Sequence, residues 1–454
     1  MTDERNTDMN TNGRQRKTRG WTIAALTLAA TLPACDSLLD VADPDIIEPD
    51  QLRTLQGASA LYNGAIGEFA LAKDGAAGGP GSALGLVQAM GWFSDEFKFG
   101  GTPPLTRAMD LREMDPQNAS WDQMYQNLHV ARVAAEDAAA LLQEVSGNPG
   151  GDPRIGELYA VSAAVHILMG EAYCGAVPFG RTEPEIEYGT PLSTDQIMDR
   201  AMERLNMADQ FSGGSGRIAN FASVLRGRAL VNQGNYAAAA AAVATVPMDF
   251  LYETVHSTNS SREENFMYVD NWELDRYSVS ENEGGNGLDF ATAGDPRVPT
   301  EYVGVSRFDS ETPMYRYLKL TSRAAPVETA SGNEARMIEA EAQLNSGDMA
   351  GWLATINAAR GTVGLDPVAD PGDTDARVDL MFRERAFWLF NTGHRLGDLR
   401  RLVRQYGRAA NTVYPWGPYH KDNLQRGTDL SLVIPGNEAN NPNYSLTDCR
   451  DGEA

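Results

Sequence analysis

Apolar residues recur along most of this chain at the three-four spacing of a helix face. Leu52, Leu55, Tyr62, Ile66 and Phe69, with Ser59 among them, trace one such stripe. Ser120 with Gln123 reads as a capping box opening a second, continued by Trp121, Tyr125, Leu128, Ala135 and Leu142. Leu158, Val161, Val165, Leu168 and Ala172 mark a third. Ser193 with Gln196 opens a fourth, through Ile197, Ala201, Leu205 and Ala208. The pattern then doubles. Ala229 to Asn235 leads into Tyr236 and an alanine run, and Ala342 to Asp348 leads into Met349 through Arg360. Each reads as a helix, a glycine able to take the left-handed conformation, an Asn or Asp N-cap and a second helix. Small residues on the second helix permit close approach, the logic of tetratricopeptide-like hairpins that bury their faces by stacking on neighbours. The helical units are expected near 121–245 and 334–406.

Two stretches break this rhythm. Residues 71–119 are rich in Gly and Pro with Trp92, Phe93, Phe97 and Phe99 embedded. Residues 247–333 are polar and irregular, with Tyr252, Phe266, Tyr268, Trp272, Tyr277, Tyr302, Tyr315 and Tyr317. Long loops in a helical protein are usually functional. A strand-like piece is expected near Tyr315–Leu320, without an extended sheet. The fold class is therefore mostly α: tetratricopeptide-like hairpins carrying long irregular loops.

Composition adds direction. Of 454 residues, 42% are hydrophobic and 22% charged, enough apolar material for a large core, and the formal charge of −24 disfavours nucleic acid as a partner. The beginning departs from this acidic average: Arg14, Arg16, Lys17 and Arg19 precede an apolar run from Trp21 to Leu32, then Pro33, Ala34 and Cys35. A basic region, a short apolar region and a small residue before the cut make a secretory signal, residues 1–34, too short to span a bilayer as a stable helix. Cys35 stands where an acylated cysteine would, and lipid chains would anchor the mature part, 35–454, to a membrane. The other cysteines are Cys174 and Cys449. An oxidising compartment permits a bridge between them; the alternative is a buried thiol at Cys174 and a free tail cysteine. The five histidines are scattered singly, with no Cys/His metal spacing and no sign of a cofactor.

The last third holds a dense set of charges. Arg383-Glu384-Arg385 is expected to begin a helix with Phe382, Ala386, Leu389 and Phe390 on one face, ended by Gly393. His394-Arg395, Asp398-Leu399 and Arg400-Arg401 follow. Arg395 and Asp398 lie one turn apart and can pair, and Glu384 offers a partner to one of the arginines. His394 fits a capping or packing role better than that of a base.

Glu384-Arg385, Gly393-His394-Arg395 and Asp398-Leu399-Arg400-Arg401 together resemble the C-terminal signature of the SusD/RagB family. Three further segments agree in order: Cys35 to Asp40; Ile338 to Ala342 with Gly347-Asp348 and Ile356 to Arg360; and Val433-Ile434-Pro435 with Glu438 and Asn441-Pro442-Asn443. Where members often carry acidic residues, Trp388 and Thr392 stand here. The resemblance implies a helical lipoprotein of the outer membrane, facing the cell surface as a lid on a TonB-dependent, SusC-like channel, to which it delivers captured oligosaccharides or peptides. Saccharide recognition needs flat aromatic faces and amide or carboxylate groups. Trp92, Asp95, Phe97, Tyr268, Asn271, Trp272 and Tyr277, from the two irregular stretches, are the candidates. A scaffold without a ligand site is the first alternative. A glycoside hydrolase is the second, although no spacing selects a carboxylate pair and no nucleophile elbow, phosphate loop or dinucleotide fingerprint occurs.

Overall fold

A computed structural model of the protein describes residues 53–77, 84–182 and 185–445. The signal region, Cys35 and Cys449 lie outside the described residues, as does the side chain of Ser120. The first helix, α1 (Leu55–Asp74), is capped by Thr54, whose hydroxyl accepts from the Gly57 amide at 3.1 Å, and it buries Ala58, Ala65 and Phe69. Next come α2 (Leu86–Phe93), strand β1 (Phe97–Phe99), α3 (Pro104–Leu111) and the long α4 (Ala119–Val145). The stretch 71–119 thus holds the end of α1, two short helices and a strand, where the sequence suggested irregular chain. Since α2 is buried on every side, it shows no periodic contrast to read. Because α4 already includes Ala119, Ser120 is inside the helix and is not its cap.

Helix α5 (Pro153–Ala172) follows, capped by Asp152 and buried at almost every position from Ile155 on. Strands β2 (Val177–Pro178) and β3 (Pro191–Leu192) precede α6 (Thr194–Gln210). The capping box predicted there is complete: Ser193 Oγ accepts from the Gln196 amide at 3.3 Å and Gln196 Oε1 from the Ser193 amide at 2.9 Å. Two hairpins follow, α7 (Gly216–Asn232) with α8 (Tyr236–Val243), then α9 (Gly332–Ser346) with α10 (Met349–Thr362). Gly234 and Gly347 take φ of 74° and 83°, the left-handed turn conformation expected of them. Asp348 caps α10 by accepting from the Gly351 amide at 2.9 Å, whereas Asn235 makes no such side-chain bond. Gly227 marks the close approach of the two hairpins, since a β-carbon there would lie 2.6 Å from Val243 Cγ1 and 3.1 Å from Ile338 Cδ1. From α4 to α10 each helix packs on the next, with α1 against α4, so the hairpins bury their apolar faces by stacking. Trp121 and Trp352 are wholly enclosed in this stack, each worth about 3 kcal/mol of hydrophobic burial.

Between the hairpins the chain forms short antiparallel ladders and single helical turns at Phe266–Tyr268, Val269–Glu273 and Glu283–Gly285. Strand β4 (Leu251–Thr254) pairs with β8 (Val327–Ser331), β5 (Tyr277–Val279) with β1, and β6 (Thr300–Val305) with β7 (Pro313–Tyr317). The last agrees with the strand expected near Tyr315, and among the described residues there is no larger sheet. The last long helices are α11 (Thr374–Trp388) and α12 (Arg395–Arg404), followed by single turns at Ala410–Val413 and Gly436–Asn440. Helix α11 starts at the Asp373 cap, so Glu384 and Arg385 lie towards its end rather than at its beginning, and it stops at Trp388, before Gly393. Among the described residues no helix is long and apolar enough to cross a membrane, and no histidine, cysteine and carboxylate group is arranged to hold a metal.

Candidate functional site

The charged corner fixes how the loops sit on the helices. Arg385 and Asp398 form a two-pronged bridge, Nε–Oδ2 and Nη2–Oδ1 both 2.9 Å, and Arg401 donates to the same carboxylate at 2.8 Å. Although burial alone would push Asp398 up, the two guanidiniums hold its carboxyl well below the usual range. Arg395 does not pair with Asp398. It reaches back 300 residues in sequence to Asp95, with Nε–Oδ1 at 2.6 Å and Nη2–Oδ2 at 2.8 Å. Two residues on successive turns of one helix need not pair when each has a buried counter-charge on another element. Likewise Glu384 accepts from Arg297 and Arg360, each at 2.5 Å, rather than from a corner arginine. Arg400 donates to three backbone carbonyls at the C-terminal end of α5, those of Gly170, Glu171 and, just past it, Tyr173. Gly393, at φ 80°, makes the turn that lets α12 fold back, with a Cβ position 3.0 Å from Val87 Cγ2. His394 is buried, its Nδ1 2.7 Å from Thr392 Oγ1, and burial holds it neutral. Its packing role agrees with the sequence reading.

Five of the seven proposed ligand residues are interior. Trp92, Asp95, Phe97, Asn271 and Tyr277 are all wholly buried. Phe97 stacks on Tyr277 with ring centres 3.7 Å apart, and Trp92 meets Phe99 and Tyr277 edge-on at 5.2 and 5.5 Å. Asn271 accepts from the Tyr317 amide at 2.9 Å and donates to the carbonyls of Tyr277 and Tyr315, pinning the turn after Tyr268 to β5 and β7. Asp95 is the counter-ion of Arg395. These side chains plug the core beneath their loops and present no face to a ligand. Tyr268 and Trp272 are half-buried, stacked 6.0 Å apart, with the Trp272 indole donating to the Tyr317 carbonyl.

The two loop-rich stretches do meet, at the β6–β7 hairpin. Ser306 donates to the Gly100 carbonyl at 2.6 Å, and Lys421 ties the Phe99 and Gly101 carbonyls to Asp309 at 2.6, 2.8 and 2.7 Å. On this frame Tyr302 stands 57% exposed beside Tyr315, ring centres 5.2 Å apart. At the hairpin tip Phe308 is exposed, with the Arg276 and Arg307 guanidiniums 4.6 and 5.5 Å from its ring centre. Arg316 lies 4.9 Å over Trp272. Asp275 sits between them, 3.5 Å from Arg307 and 3.9 Å from Arg316. The hairpin therefore exposes Tyr302, with Tyr315 half-buried beside it, and Phe308 at its tip among guanidinium and carboxylate groups. Tyr302 and Phe308 were missed because aromatic residues alone do not say which side of a loop faces water. The usable signal was Phe308 flanked directly by Arg307 and Asp309, a charged setting that favours a water-facing turn.

No protein-family profile matches the chain, and no curated protein does. Solved structures match over most of its length. A SusD superfamily protein from Parabacteroides distasonis aligns with a TM-score of 0.63 at 13% identity, over 86% of this chain and 98% of that one. A SusD-like protein from Bacteroides fragilis aligns with 0.65 at 12%, over 88% and 98%. The fold is that of the SusD superfamily. A laminarin-binding SusD-like protein also matches, with 0.56 at 18%, over 86% of this chain and all of that one. The mostly helical fold is thus SusD-like, as the resemblance implied.

Proposed function

We propose that this protein is an outer-membrane lipoprotein of the SusD kind, anchored through Cys35, that captures oligosaccharides and passes them to a TonB-dependent channel without cleaving them. The observation that carries the reading is the pair of exposed aromatics, Tyr302 and Phe308, at the meeting of the two loop stretches, on a fold shared with structures described as carbohydrate-binding, one of them laminarin-binding. Aromatic faces take the C–H side of a sugar ring, and the flanking guanidinium and carboxylate groups take its hydroxyls. Tyr302 is the central contact, Phe308 and Tyr315 extend the platform, and the charged corner acts through the frame it holds.

A scaffold without a ligand site gains something from the burial of Trp92, but Trp272 keeps part of its surface and the hairpin's Tyr302 and Phe308 are open to solvent. Isothermal titration against a panel of neutral glycans, with reducing ends followed in parallel, separates the readings. Capture predicts binding of at least one glycan, weakened by Tyr302→Ala, with no new reducing ends. Release of reducing ends would establish a hydrolase, and a panel with no binder would leave the scaffold.

A further inference from the structure

Away from the hairpin, α4, α5, α6 and the segment between β2 and β3 enclose a pocket of about 260 Å³. A single ordered water needs only about 15 Å³, so this is room for a substantial group. Four arginines line it, Arg132, Arg181, Arg200 and Arg204, against two carboxylates, Glu136 and Glu187. Such an excess of positive charge is unusual on a chain of net charge −24. Glu136 is shared, 3.3 Å from Arg132 and 2.9 Å from Arg204. Arg181 and Arg200 also reach Asp137 and Glu203, but those carboxylates are more than half exposed, where water and salt screen them. Arg132 is 6% exposed; its Nη1 donates to Glu136 and its Nη2 to the Gly180 carbonyl, which leaves Nε without a hydrogen-bond partner among the described residues. A buried charged donor without an acceptor is costly, and an anion in the pocket would remove that cost. His166 closes the wall, stacked on Phe179 at 4.7 Å and pushed down to about 4 by burial, so it adds no charge near neutral pH.

The pocket opens beside a wider cleft of about 660 Å³, with Gly180, Arg181 and Glu187 common to both. The cleft offers a sugar ring the exposed faces of Tyr188, Ile186 and Val130 and the side chains of Gln126 and Asn437, while Asp122, Asp137 and Glu438, also in its lining, accept from ring hydroxyls and leave the arginine pocket as the place for a carboxylate. None of these residues belongs to the hairpin face.

We infer that this cleft and its arginine pocket form a second site, which takes an acidic saccharide by seating a uronate carboxylate among Arg132, Arg181, Arg200 and Arg204 while the ring lies on the cleft. Planar guanidiniums match a carboxylate in two-pronged geometry, which favours the uronate over a neutral sugar of the same shape. The inference rests on the reading of the protein as a saccharide binder, and its test keeps the two apart. The protein is titrated with an oligogalacturonate, with the galactose oligomer of equal length, and with the acidic ligand in competition with inorganic sulfate. Oligogalacturonate is expected to bind at least about tenfold more tightly than its neutral counterpart, with affinity falling as salt rises. Arg200→Gln, half-exposed and safe for folding, and Arg200→Gln with Arg204→Gln, checked by thermal melting, should remove that advantage and leave neutral glycans at the hairpin unaffected. Equal affinity for the two oligomers, or acidic binding indifferent to both variants, overturns the inference while capture at the hairpin stands. Displacement by sulfate at equal concentration overturns it in favour of a simple anion site. Failure of every saccharide, neutral or acidic, removes the capture reading as well.

Discussion

Asp95 tests whether the loop residues below the hairpin serve the frame or the ligand. Its carboxylate is wholly buried and bridges Arg395 in two-pronged geometry at 2.6 and 2.8 Å, while Oδ2 also accepts from the Leu288 amide at 2.9 Å. In Asp95→Asn the side chain keeps its size but turns an NH₂ group towards a guanidinium that is itself only 7% exposed. Removing one partner of such a buried pair costs about 3–5 kcal/mol, because the remaining charge has lost its counter-ion and cannot recover water. Asp398 also acts on Arg395 and softens the loss, which places the expectation near the lower end, about 3 kcal/mol. Urea unfolding of the parent and the variant measures it directly. A companion variant, Asp95→Leu with Arg395→Leu, removes both charges and should lose less than Asp95→Asn alone, since an apolar pair avoids the stranded cation. Glycan titration of the same proteins supplies the second readout. Asp95→Asn should bind neutral glycans with unchanged affinity wherever it remains folded. A variant with nearly parental stability that had lost glycan binding would refute the assignment and restore Asp95 to the ligand site.

Glu96 is fully buried, and burial pushes its carboxyl up to about 8 despite the Asn391 amide it accepts from. A carboxyl raised in this way favours the fold below its ordinary range and costs stability as pH rises towards 8 and past it, so Glu96→Gln should gain about 1.4 kcal/mol on the parent between pH 7 and pH 9 by urea unfolding, and a constant difference would show that Glu96 is already ionised. Gly393→Ala forces a β-carbon onto a φ of 80° and within 3.0 Å of Val87, and is expected to cost about 2 kcal/mol, read as a lower unfolding midpoint. Cys174 is disulfide-bonded and is the only cysteine among the described residues; non-reducing peptide mapping should join it to Cys449, leaving Cys35 for lipid, and a peptide joining Cys174 to Cys35 would break the anchoring proposal. Cys35→Ala should move the protein from the detergent phase to the aqueous phase, and retention in detergent would place the anchor elsewhere.

The helical stack was legible because each helix shows its pattern locally. The Ser193 capping box and the Gly234 and Gly347 turns depend on neighbours a few residues away, and they appear as read; the stripe on α1 holds from Tyr62 to Phe69, but Leu55 is exposed and Ala58 and Ala65 take the buried positions. What failed needed distant partners. Helix α2 is surrounded by protein and so carries no polar face to announce it. Arg395 and Asp398 have the spacing of a pair, yet Arg395 is claimed by Asp95, 300 residues away, and Asp398 by Arg385 and Arg401. The aromatic-rich loops were recognised as the functional region, but a pattern of aromatics cannot separate Trp92, locked against Phe99 and Tyr277, from Tyr302, open to solvent. Only the β6–β7 register, which puts Tyr302 opposite Tyr315, settles the direction.

The buried plugs and the exposed aromatics depend on each other. A platform that takes a sugar ring must hold its aromatic faces still, because each side chain that orders on binding costs about 0.5–1.5 kcal/mol of the affinity. The hairpin has only short strands of its own, so its stiffness has to come from beneath. Asn271 supplies it at β7, Ser306 and Lys421 tie the tip to residues 99–101, and Arg395 with Asp95 fastens the start of that same segment to α12. The residues that the sequence marked as ligand contacts are in this sense one layer too deep. They are aromatic and polar because they fill and bond the underside of a surface whose upper side carries the aromatics left for a ligand.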